Sequence, residues 1–135
     1  MGFKIVGFQK AINGFTRLGE NIQDAAGEGV ADGIELVYEQ SQIEVPKETG
    51  KLAKSARRVP RKQKGPVRSK GLRYGDGALN SSGESYAAAV HEILKASHAA
   101  PTKAKFVEDP LWQNIKGTKK ATGDAAQRAV RKSFR

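Results

Sequence analysis

His91 and Glu92 open like the zinc-protease motif, in which two histidines four residues apart share one helical face. Position 95 is Lys95, and although His98, seven residues on, can share a face with His91, no third ligand is identifiable. The two histidines therefore read as ordinary strand or loop residues, and no metal site is expected. Gly27, Gly29 and Gly33 resemble a dinucleotide loop, but no strand precedes them and the acids among them would repel a pyrophosphate. Gly50 followed by Lys51 lacks the upstream glycine and downstream hydroxyl of a phosphate-binding loop. Thr49 and Ser55 have no neighbouring base, and hydroxyl nucleophiles are inert without one, so turn and strand hydrogen bonds are their expected roles. With no cysteine, thiolate metal sites, cysteine nucleophiles and disulfides are excluded by counting. No catalytic residue and no cofactor are expected, and the chain does not read as an enzyme.

The residues that stand out are basic. The net charge is +10, and it is sorted along the chain. Residues 1–50 hold eight acids and four bases. Residues 51–73 hold Lys51, Lys54, Arg57, Arg58, Arg61, Lys62, Lys64, Arg68, Lys70 and Arg73 with no acid at all, and beyond Pro110 seven bases accompany the single acid Asp124. Most charge runs are solvated loops, but an acid-free block repels itself unless something anionic lies nearby. Any contact with nucleic acid should be to phosphates, because no helix-turn-helix, zinc finger or aromatic-rich sheet accompanies the charge and Tyr74 is the only nearby ring.

A chain of 135 residues fits one domain, with a modest core that partners can help to stabilise. Phe8, Ile12, Phe15, Leu18, Ile22, Val30, Ile34 and Val37 recur at helical steps, and Glu20, Asp24, Glu28, Asp32, Glu35 and Glu39 centre on the opposite side, which predicts a long amphipathic helix with an acidic face. Five glycines between positions 14 and 33 predict a break or kink in it. Pro46 and Gly50 end the helix. Residues 52–74, with Pro60, Gly65, Pro66 and Gly71, predict two short strands around an exposed, mobile basic loop. After a Gly, Asn and Ser-rich loop at 75–83, the alternation in Tyr86 to Ile93 predicts a strand, against the helix preference of its alanines. Asp109 reads as an N-cap with Pro110 at the first position of a last helix that buries Leu111, Trp112, Ile115, Ala126 and Val130. Trp112 suits either a core position or an interface anchor. The fold class is α+β: long N-terminal helix, small antiparallel sheet with an extended basic loop around 57–73, and C-terminal helix, in a single domain over 1–135. No apolar run approaches the roughly 18 residues that span a bilayer, and Phe3, Ile5, Val6 and Phe8 are too interspersed for a signal peptide, so a soluble, unsecreted protein without membrane contact is expected.

Pro46, Thr49, Gly50, Leu52 and Ser55, then Tyr86, Ala87, Val90 and Glu92, then Phe106 and Pro110 occur in order. Over roughly half of its length the chain thereby resembles the small tail-component proteins of siphophages and related prophages, the tail-completion or neck proteins of the lambda type. It departs from that pattern at Ile93-Leu94, where Gly-Thr is common, and at Lys105, where proline is common. The resemblance implies a non-catalytic virion subunit that is assembled in the host cytoplasm and joins head connector to tail as a homo-oligomeric ring, a hexamer or dodecamer. Its neighbours would be a connector or head-closure protein and a tail terminator or tail tube. On this reading the acidic helix face meets basic residues of the next subunit, and the ten bases line the lumen, touching genomic DNA non-specifically, or dock on an adjacent ring. The alternative is a free, non-sequence-specific DNA-binding protein.

Overall fold

A computed structural model describes residues 7–65, 67–93 and 100–134, with the side chains of Arg61 and Val67 outside that description. The elements in order are α1 (Phe8–Glu44), α2 (Lys51–Lys54), β1 (Arg57–Lys64), β2 (Val67–Arg73), α3 (Ala87–Glu92) and α4 (Glu108–Ser133). The fold is α+β: a long N-terminal helix, a two-stranded antiparallel hairpin and a C-terminal helix. Phe3, Ile5, Val6 and His98 lie outside the described residues. Among the described residues no helix is long and apolar enough to cross a membrane.

The expected break in α1 does not occur, and its 37 residues run unbroken. Two of the glycines, Gly29 and Gly33, serve helix packing instead. A Cβ on Gly29 would lie 2.7 Å from the Thr122 backbone Cα, and one on Gly33 would overlap the Thr118 side chain. Gly27, Gly29 and Gly33 are all buried. The missing side chains of Gly29 and Gly33 let α4 lie antiparallel against α1 at a separation that larger residues would forbid, so contact with α4 offsets what these two glycines cost in propensity.

The apolar core sits at the other end of α1, where Val45, Leu52, Ala78 and Phe106 are buried and Ala53, Tyr74, Tyr86, Ala87, Val90 and Val107 pack around them. Gly50, with φ +69°, turns the chain into α2 in the left-handed region that favours glycine. Ser55 then ties α2 to the end of the hairpin, its hydroxyl donating to the Leu52 carbonyl at 2.6 Å and accepting the Gly75 N–H at 2.9 Å. A polar chain links the helix to the same region: Gln42 donates to the Tyr74 hydroxyl at 2.7 Å, which lies 2.7 Å from Ser41 Oγ, and Ser41 donates to the Tyr38 carbonyl at 2.8 Å.

Two local expectations are corrected. Residues 87–92 are helical, with Val90 N–H bonded to the Tyr86 carbonyl and Ile93 N–H to that of Ala89. Tyr86, Ala87 and Val90 face the core while Ala88 and Ala89 are exposed, a helical spacing that the apparent alternation concealed. The last helix begins at Glu108 rather than after an Asp109 cap, and it buries Pro110 while leaving Leu111 and Trp112 exposed, Trp112 by 63%. Trp112 is therefore not a core residue. Ile115, Ala126 and Val130 are half-buried.

Candidate functional site: a basic hairpin on an acidic helix

The basic stretch is a paired hairpin rather than an open loop. Its register places Arg57 opposite Arg73, Arg58 opposite Leu72, Gln63 opposite Arg68 and Lys64 opposite Val67, with an irregularity between Val59 and Lys62. Alternation then sorts the cations onto two faces. One face carries Arg58, Arg68 and Lys70, and the other carries Arg57, Lys62, Lys64 and Arg73.

The first face lies on α1. Arg58 Nε reaches Glu35 Oε2 at 2.7 Å, Lys70 Nζ reaches Glu35 Oε1 at 2.9 Å, and Arg68 Nε reaches Asp24 Oδ1 at 2.9 Å. The Arg58 guanidinium also stacks 3.9 Å from the centre of the Tyr38 ring. Hydrogen bonds from Lys70 and then Arg58 hold the Glu35 carboxyl below its ordinary range, and the same carboxylate raises Arg58. Arg68 is the most enclosed of these cations, its side chain only 6% exposed and also donating to the Gly65 carbonyl at the turn. The anion that the acid-free block requires is thus supplied by this chain's own α1. Of the acidic face that the sequence offers to a neighbouring subunit, Glu35 and Asp24 hold these ion pairs within the chain. Glu20, Glu28, Asp32 and Glu39 remain exposed on α1.

The second face looks outward. Lys62 and Lys64 are exposed, as are Lys51 and Lys54 on α2, and among the described residues none of the four forms an ion pair. Arg57 spends its guanidinium on the Lys54 and Ala56 carbonyls, and Arg73 meets Asp76 at 2.8 Å at an exposed site where such pairs contribute little. The Arg61 side chain lies outside the description.

The residues that carry the family resemblance converge on the core. Pro46 and Leu52 line a cavity of about 290 Å3 with Tyr86 and Val90, and Thr49 Oγ1 lies 3.4 Å from the Tyr86 hydroxyl. Phe106 is buried with Tyr74 and His91 edge-on to its ring, both at 5.2 Å. Glu92 lies at the rim, 2.7 Å from His91 Nδ1. Lys105 Nζ sits between Glu92 and Glu108, at 2.5 and 2.8 Å. The one grouping of potential metal ligands among the described residues, His91, Glu92 and Glu108, therefore already surrounds an ammonium. Glu92 is held low by Lys105 first and His91 second, and Lys105 is held high by Glu108 and Glu92.

Sequence reasoning missed Tyr38, Asp76 and the Ser41, Gln42 and Tyr74 chain. The only available signal was the self-repulsion of the basic block, which called for an anion without naming Glu35 or Asp24. Searches against family models, curated proteins and solved structures give no match to the chain.

Proposed function

We propose that this chain is a structural subunit of a tailed-phage neck, a tail-completion protein that assembles into a ring between head connector and tail in the virion. The observation that carries the reading is the division of the hairpin. One face is neutralised by α1, while Lys62 and Lys64 toward the turn, and Lys51 and Lys54 on α2, hold charge that no described acid pairs with. Exposed Glu28, Asp32 and Glu39 lie beside Glu35 on the acidic side of α1. Surfaces of opposite sign on one subunit suit a heterologous contact, in which each copy offers a different face to each neighbour. Cations left over at the rim of such a ring suit the phosphates of passing DNA or an acidic adjoining ring, without base specificity. The motif residues Leu52, Tyr86, Ala87, Val90 and Phe106, gathered in one core, support a family scaffold rather than a catalytic centre.

The test is co-expression with connector and tail-tube partners, read by electron microscopy and native mass measurement. The expected product is a closed ring seated between the two. Tight, salt-sensitive DNA binding by a small species that never forms rings, even with those partners, would replace this reading with the free DNA-binding protein. Replacing Lys62 and Lys64 with glutamine should leave the fold intact and weaken assembly, DNA retention or DNA passage.

A further inference from the structure

Phe8, Ile12, Phe15, Gly19, Ile22, Ala26, Gly29 and Gly33 follow one another along α1 at alternating steps of four and three, a single coiled-coil seam. Residue size along this seam changes with what covers it. Gly29 and Gly33 lie where α4 packs close, whereas Phe8, Ile12 and Phe15 are 65%, 41% and 70% exposed. The reason is length. α1 extends for about 55 Å and α4 for about 39 Å. In the antiparallel register set by Gly33 with Thr118 and Gly29 with Thr122, α4 ends near Leu18, where Ser133 and Phe134 join Ala11, Gly14, Phe15 and Leu18 around a groove of about 190 Å3. The seam runs on past the end of its partner, and it does so with large residues.

The geometry points to a second copy of this chain as the helix that covers residues 8–15, in a two-fold antiparallel pairing of the two overhangs. Three observations favour that occupant. The patch is self-complementary, as a two-fold contact requires, because it holds both projecting rings, Phe8 and Phe134, and a groove floored by Ala11 and Gly14. Its periodicity continues an interface that already packs helix against helix in the same chain. The charged residues of the overhang, Lys10 and Arg17, fall nearly opposite the seam at 100° per residue, so pairing buries neither of them. A two-fold antiparallel meeting that sets Ile12 against Phe15 places Phe8 of each copy opposite Gly19 of the other, where a Cβ would meet nothing within 4 Å. The contact leaves the hairpin and the acidic side of α1 free, so it stands independently of the ring.

Sedimentation of the full chain from micromolar to millimolar concentration should show a monomer–dimer equilibrium, which Phe15→Asp weakens at least roughly tenfold. Circular dichroism checks that this exposed substitution leaves the helix content unchanged. Because the chain has no cysteine, orientation is read by oxidising a mixture of Ile12→Cys and Phe15→Cys proteins, which should give the mixed disulfide in excess over either homodimer. A monomer throughout, a dimer indifferent to Phe15→Asp, or homodimeric Ile12→Cys cross-links in excess would overturn the proposal. So would capture of the overhang by anionic vesicles in place of a second copy.

Discussion

Glu35 receives Lys70 at 2.9 Å on one carboxylate oxygen and Arg58 at 2.7 Å on the other, so a single acid of α1 clamps both strands of the hairpin. Because its folded pKa is lowered below the ordinary 4.5, this attachment is fully present above that value and is lost as pH falls through the lowered one. Hydrogen exchange in β1 and β2, corrected for intrinsic rates, should accelerate relative to α1 below about pH 4.5. Glu35→Gln should remove that pH dependence.

The hairpin's cations should separate by face. Arg68→Gln, at an enclosed guanidinium bonded to Asp24 and the Gly65 carbonyl, should cost about 1–2 kcal/mol in denaturant unfolding. Lys62→Gln and Lys64→Gln, on the outward face, should stay within about 0.5 kcal/mol. Equal losses at all three positions would remove the distinction on which the functional proposal rests.

Gly29 and Gly33 should respond differently to repair. Gly29→Ala meets the Thr122 backbone, and Gly33→Ala meets the Thr118 side chain. Each should destabilise by about 1–3 kcal/mol despite the better helix propensity of alanine. Thr118→Ala should rescue the second, while Thr122→Ala should do little for the first. Gly123→Ala, which meets nothing within 4 Å, should stabilise by up to about 1 kcal/mol.

Tyr74→Phe removes the hydroxyl shared by Gln42 and the fully buried Ser41. It should cost about 1–3 kcal/mol, measured by thermal or chemical unfolding, because the remaining partners keep their desolvation penalty without the bond.

The long helices and the paired strands were readable from periodicity and turn residues, because these repeat over many positions. Residues 86–93 were not, since eight residues are too few to separate a period of two from one of 3.6, and the alanines fit both. The glycines of α1 were read as weakness because a sequence shows the missing side chain but not the helix that needs the space. The ten basic residues were visible at once. Their division into clamped and outward cations required the strand register and the position of α1, neither of which a charge count contains.

The small residues of α1 bear also on when the helix can form. A segment with five glycines between positions 14 and 33 gains little helix on its own, and the element that covers Gly29 and Gly33 does not begin until Glu108. Until α4 is made, the contact that offsets the cost of Gly29 and Gly33 is missing from the first helix. A chain that stops before Glu108 has no α4 to close the glycine seam, so its first helix would be left open to proteolysis.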